Sequence, residues 1–220
     1  MEKIIVIGAG GLAKRILDIL ERTGEREIVG VVAPDRALGE QFFGYPVLGD
    51  DDQLAAIVAR HRVDAAIVAI GDNWKRACAA RTAHEAVPGL RFVSAIHPSA
   101  QVARGATIGC GTMVAAGAVL DSDASVGDFA LLHIGATVSH DAVVGDFASV
   151  GLHAVACGAA RIGDYTAIGV GANLIHRVAI GEHTVIGAGS TVTRDIPAYT
   201  VAYGSPARVV RQRQQGEPYL

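Results

Sequence analysis

Aromatic side chains are scarce. Phe, Tyr and Trp make up 5% of the chain, with a single tryptophan. This rules out a core of bulky rings and the stacking platforms on which single-stranded nucleic acids lie. The three cysteines, Cys78, Cys110 and Cys157, are odd in number and far apart, which excludes a disulfide framework or a zinc ribbon. Neither sign of charge dominates: Lys and Arg total 19 against 22 Asp and Glu, a net charge of −3. The basic residues are scattered, so neither nucleic acid nor an anionic membrane surface is an expected partner. No apolar run reaches the length of a membrane span. The start, Met1 to Gly8, reads as a buried strand and lacks the features of a signal peptide. A soluble, cytoplasmic protein is expected. What the chain has instead is small aliphatics: half of its 220 residues are hydrophobic, and 27 are glycine.

From Ile96 those residues fall into a six-residue step. The leading positions are Ile96, Val102, Ile108, Val114, Leu120, Val126, Leu132, Val138, Val144, Val150, Ala156, Ile162, Ile168, Leu174, Ile180, Ile186 and Val192, seventeen aliphatics without an insertion. Four residues after most of them stands a small residue: Ala at 118, 124, 130, 136, 142, 148, 154 and 160, for example, and Thr at 112, 166 and 184. Gly often follows the leader, as in Val126-Gly127 and Ile162-Gly163. A flat strand and a tight turn repeated at this interval place the leader and the small residue inward, with Gly and Asp at the corners. Each coil buries its apolar edge only against its neighbours. An ordinary sandwich would have irregular loops. The pattern resembles the left-handed parallel β-helix of hexapeptide-repeat acyltransferases. That resemblance implies the handedness, three hexads per coil and a homotrimer. The prism is expected over 96–197, with a C-terminal cap and tail over 198–220.

Residues 1–95 read as a Rossmann-like α/β domain with a parallel sheet. Strands are expected over 3–7, 28–32 and 65–70, with helices between them. Asp50 or Asp51 caps one helix running to about Arg60, and Asp72 or Asn73 caps the next. The first strand leads into Gly8-Ala9-Gly10-Gly11-Leu12-Ala13-Lys14, a turn whose backbone N–H groups suit an anion. It can be a tight turn with no ligand, a dinucleotide fingerprint, or the seat of a single nucleotide. The domain has room for one mononucleotide-binding half, and the acidic residue expected after the second strand is displaced to Asp35. A nucleotide-sugar fits these features better than NAD.

A small nucleotide-type domain joined to a hexapeptide prism resembles, over nearly the whole chain, the bacterial sugar acetyltransferases. That family includes bacillosamine and perosamine N-acetyltransferases and sialic acid O-acetyltransferases. The resemblance implies an acetyl-CoA-dependent N-acetyltransferase acting on a nucleotide-linked 4-amino-4,6-dideoxy sugar, with overall similarity favouring GDP-perosamine. O-acetylation of the sialic acid type is the alternative. It also implies that Gly10, Gly11, Leu12, Pro34, Asp35 and Gly71 hold the nucleotide-sugar. The cap segment Gly204-Ser205-Pro206-Ala207 matches a family pattern as well.

Of eight histidines, His61 and His84 fall in helical stretches and are expected at the surface. None of the prism histidines leads a hexad, so all should project from corners or outer faces. Ser139-His140-Asp141-Ala142-Val143-Val144-Gly145-Asp146-Phe147 resembles the family's active-site segment, which implies that His140 is the general base and Asp141 its orienting carboxylate. Imidazole suits the proton that an attacking amine must shed. Eighteen residues make one coil under the implied geometry, so Gly158 lies above His140 with its N–H placed for an oxyanion. His176, one coil higher, should stand roughly 10 Å from His140, since stacked strands are about 4.8 Å apart. His133 stands where the family often has Asn, and Ser149 where it can have His. Both positions line the substrate and acetyl-CoA sites in the family. Ser149, Gly158, Val170 and Ala188 are the acetyl-CoA positions. No residue is marked as an acyl carrier, so attack should be direct. No metal is expected: a zinc site would need three ligands, and only His133, His140 and His153 meeting across an interface could supply them.

Overall fold

The computed structural model describes residues 1–219. Strand β1 (Glu2–Ile7) lies at the centre of the N-terminal sheet, parallel to β2 (Arg26–Val32) on one side and β5 (Ala65–Val68) on the other. Beyond β2 lie β4 (Tyr45–Gly49) and β3 (Gln41–Phe42), a short hairpin with no counterpart in the sequence pattern. Beyond β5 lies β6 (Arg91–Phe92). Helix α1 (Gly11–Thr23) buries Ala13, Ile16, Leu17, Ile19 and Leu20, a stripe at helical spacing, and ends at Gly24 with φ 63°. Asp50 caps a 3₁₀ turn that leads into α2 (Leu54–His61). Asp72 caps α3 (Asn73–Ala86) by accepting from the Lys75 N–H. Strand β5 stops at Val68, two residues short of the expected Ile70, because the chain leaves the sheet there to enter the α3 turn.

Seventeen two-residue strands follow, from β7 (Ala95–Ile96) to β23 (Thr191–Val192), and the leading aliphatic is the second residue of every one. Partners lie eighteen residues apart, as Leu120 beside Val138 and Val138 beside Ala156. The result is a left-handed parallel β-helix with three faces. A first corner carries residues such as 133–136 and 151–154, a second 139–142 and 157–160, a third 127–130 and 145–148. The inner leaders and alanines pack into one continuous core. Ile96 and Val102 depart from the inward expectation: they are 36% and 45% exposed, because the lowest coil has none beneath it. At the top, β24 (Thr200–Gly204) pairs with the strand Val185–Ile186 and with β25 (Ala207–Gln212), closing the prism with a hairpin turned at Ser205-Pro206.

The two parts share a core. Ala95, Met113 and Leu131 point outward from the first face and pack with Ile16 and Leu20 of α1. Arg76 of α3 is wholly buried and donates to the carbonyls of Ile70, Gly71, Phe129 and Phe147 and to Asn73 Oδ1, and burial lowers it to about 10. At the third corner Phe129, Phe147, Tyr165, His183 and Tyr199 stack as a ladder with centroid spacings of 4.9, 5.3, 4.5 and 4.9 Å. His183 therefore does not project into solvent. It is 4% exposed, sandwiched between two tyrosines beneath Trp74.

Candidate active site

The structure gathers the candidate residues in three places. The first is the carboxyl edge of the N-terminal sheet. Gly10 is the extended N-cap of α1 and Gly11 its first residue, and no atom lies within 4 Å of where a β-carbon on either would stand. The space beside the helix start is thus open, and backbone N–H groups at a helix start are the donors that take a phosphate. Leu12 is half-buried behind them, and Pro34 and Asp35 are exposed in the turn after β2. Sequence reasoning passed over Arg36. Its guanidinium packs 4.7 Å from the Phe42 ring, pairs with Glu40 and reaches the Ala9 carbonyl at the glycine turn.

The second place is the second corner of the prism. Asp141 adopts φ +60°, a left-handed conformation that Asp tolerates better than most residues. Its carboxylate Oδ2 lies 2.8 Å from His140 Nδ1. With Nδ1 engaged as the donor, the lone pair able to take a proton is on Nε2. The corner is pinned above and below, since the His140 carbonyl accepts from Ala159 N at 2.9 Å and Asp141 N donates to Ser122 O at 3.1 Å. Gly158 lies against the ring: a β-carbon there would stand 2.5 Å from Cε1 and Nε2. His176 is exposed one coil further on.

The third place is a cleft of about 340 Å³ along the first corner, lined among others by Gly71, His133, Ser149, Val170, Ala188 and Tyr219. It joins the nucleotide side, Gly71, to three of the acetyl-CoA positions. Gly158, also assigned to acetyl-CoA, does not line it. The cleft is apolar except at its His133 end. Burial, together with the charges of Arg15 and Arg76, holds the His133 imidazole down at about 4, and Arg15 Nη1 donates to its Nδ1 at 2.8 Å. Asn73 Nδ2 donates to Ser149 Oγ at 3.3 Å, and Asn73 N donates to the Tyr219 hydroxyl at 3.3 Å. Arg15 and Tyr219 carried no sequence signal and Asn73 only that of a helix cap, since each reaches the cleft from a distant segment.

Within one chain the His140 corner and the cleft lie on different edges of the prism. Among the described residues no group of three or more His, Cys, Asp or Glu side chains is placed to hold a metal ion. Among the described residues no helix is long and apolar enough to cross a membrane.

This fold and these groups define a class. The chain belongs to the bacterial hexapeptide-repeat acetyltransferases whose N-terminal domain is of the PglD type. Residues 3–83 match the PglD N-terminal domain, and residues 159–194 match the bacterial transferase hexapeptide of six repeats. Among solved structures, it resembles a histidine-to-asparagine variant of perosamine N-acetyltransferase from Caulobacter crescentus in complex with CoA and GDP-perosamine. Identity is 34% over 96% of this chain and 98% of that one, with a TM-score of 0.90. PerB from Caulobacter crescentus, bound to the same two molecules, is 36% identical over 95% and 97% of the two chains at a TM-score of 0.88. The acetyltransferase domain of PglB from Neisseria gonorrhoeae with acetyl coenzyme A is 31% identical over 95% and 99%, at 0.85. No curated protein sequence matches the chain significantly.

Proposed function

We propose that this protein transfers the acetyl group of acetyl-CoA to the amine of GDP-perosamine, with His140 as general base. The observation that carries the reading is the 34% identity, over 96% of the chain, to perosamine N-acetyltransferase holding CoA and GDP-perosamine. The His140–Asp141 pair at 2.8 Å supplies the chemistry such a reaction needs.

The open turn at Gly10 and Gly11 takes the diphosphate of the nucleotide, and Pro34, Asp35 and Gly71 border the rest of it. The sugar amine, in its neutral form, attacks the thioester carbonyl carbon. A C–N bond forms and the carbonyl pair moves to oxygen, where the Gly158 N–H stabilises it. His140 Nε2 takes the proton shed by the nitrogen, and Asp141 steadies the resulting imidazolium. Collapse breaks the C–S bond, and His140 returns the proton to the departing thiolate. The pantetheine arm follows the first-corner cleft past Ser149, Val170 and Ala188.

Because the His140 corner and this cleft sit on different edges of one prism, a complete site requires a second copy that brings its second corner to this first corner. A homotrimer with three such sites meets that need. Acetyl-CoA and free thiols at Cys78, Cys110 and Cys157 suit a reducing cytoplasm.

The test is thiol release from acetyl-CoA with GDP-perosamine and other nucleotide-linked 4-amino-4,6-dideoxy sugars, for wild type and His140→Ala. Turnover on GDP-perosamine that His140→Ala abolishes supports the reading. Absence of turnover on every amine by a folded protein refutes it. Light scattering on the same sample should give the mass of a trimer.

A further inference from the structure

His133 and Arg15 are 118 residues apart in sequence, yet Arg15 Nη1 lies 2.8 Å from His133 Nδ1. Arg15 belongs to α1, whose first turn forms the nucleotide cradle. His133 stands on the first corner of the prism and lines the cleft beside Gly71. A guanidinium has donors only, so Nδ1 must accept and the ring proton must reside on Nε2. The tautomer is therefore set by Arg15, and the polar edge that His133 offers the cleft is Nε2–H.

The other polar groups at this end are engaged as acceptors. Ser149 Oγ and the Tyr219 hydroxyl both accept from Asn73. The Tyr219 hydroxyl also donates to the Gly71 carbonyl at 3.5 Å. Among the described residues the His133 Nε2–H and the Ser149 hydroxyl proton have no partner, and of these two only the His133 donor is fixed in place by a second side chain, Arg15. The position of His133 points to the sugar. It sits at the N-terminal-domain end of the cleft, and it precedes His140 by seven residues of an eighteen-residue coil. With coils about 4.8 Å apart, that is a rise of about 2 Å. An assembly whose axis runs parallel to the prism keeps heights equal, so His133 of one copy lies within about 2 Å of the height of His140 of the next.

We infer that Arg15 is a positioning residue of the acceptor site: it fixes His133 as a one-sided hydrogen-bond donor whose Nε2–H is directed at an oxygen of the acceptor sugar. This rests on the N-acetyltransferase reading above. Arg15 touches no reacting atom. It joins the helix that holds the nucleotide to the side chain that orients the sugar, and so fixes the two ends of one substrate relative to each other.

The experiment compares wild type, Arg15→Met, His133→Asn and the double variant. Dissociation constants for GDP-perosamine, and KM values for it and for acetyl-CoA, are measured for each. Loss of one oriented hydrogen bond predicts that Arg15→Met weakens GDP-perosamine binding about fivefold to tenfold and leaves the acetyl-CoA KM unchanged. Asparagine carries its own N–H donor and needs no tautomer, so His133→Asn should restore binding, and Arg15→Met should then add nothing. Nitrogen-15 NMR of the imidazole should show Nε2–H in wild type and a tautomer mixture in Arg15→Met. The inference is overturned if Arg15→Met raises the acetyl-CoA KM instead, or costs as much in the His133→Asn background as it does alone. A wild type that binds GDP-perosamine without acetylating it defeats the catalytic reading alone, and the four dissociation constants still decide the role of Arg15.

Discussion

The α-carbon of Gly158 lies against the imidazole of His140, so that a β-carbon at 158 would fall 2.5 Å from both Cε1 and Nε2. Real side chains do not approach so closely, and Gly158 has no positive φ that would otherwise demand glycine. Gly158→Ala should therefore fold with a nearly unchanged Tm while pushing the imidazole aside. A displaced general base predicts a fall in kcat of about a hundredfold, measured by thiol release.

Asp141 holds its carboxylate 2.8 Å from Nδ1 through a left-handed backbone turn. Asp141→Asn keeps the shape of the side chain and removes the charge that steadies the imidazolium. Steady-state kinetics should show kcat lower by about tenfold to a hundredfold, with both KM values little changed.

Burial and the Arg15 and Arg76 charges place the His133 imidazole near 4, against an ordinary value of 6.5. Between these values the unfolded chain binds a proton that the folded chain does not. Stability from this group is thus complete above pH 6.5 and is lost as pH falls toward 4, by at most about 1.4 kcal/mol per pH unit. His183 is shifted down as well, chiefly by burial, and adds in the same direction. Denaturation midpoints across this range should fall less steeply for His133→Asn than for wild type.

Arg76 is the rivet between α3 and the third corner. Replacing it with Met leaves the buried carbonyl of Phe129 and the partly buried carbonyl of Phe147 without their donor. A cost of about 3 kcal/mol is expected. Limited proteolysis should then cut the N-terminal domain before the prism, whose own core is untouched.

Phe147 stacks on Phe129 at 4.9 Å and on Tyr165 at 5.3 Å. Phe147→Ala breaks the ladder in its middle and should destabilise by about 2 to 3 kcal/mol. Thermal denaturation should register it, while kcat at room temperature stays close to wild type, since the ladder runs along a different corner from His140.

Much of this molecule was legible as a repeat. Every leader from Ile96 to Val192 ends a two-residue strand, because a strand that short owes its register to the step of six. The same step placed Gly158 beside His140. Asp72 was readable as a helix cap because capping is settled within three residues. The spacing of Phe129, Phe147, Tyr165 and His183 is also one coil, yet their stacking was not read. Composition suggested few aromatics, and only the third corner shows that they are collected in one column.

What the sequence by itself determined, then, is whatever depends on near neighbours: the strand and turn of each hexad, the glycine turn before α1, and the adjacency of His140 and Asp141. The tertiary structure alone decided what the two parts do to each other. It brought Arg15 to His133 across 118 residues, buried Arg76 among prism carbonyls, and set Tyr219 beside Gly71. The repeat is written by local spacing, whereas the docking of an α/β domain onto one face of a prism obeys no period. It follows from the shapes and buried polar groups of two surfaces that meet only after each has folded.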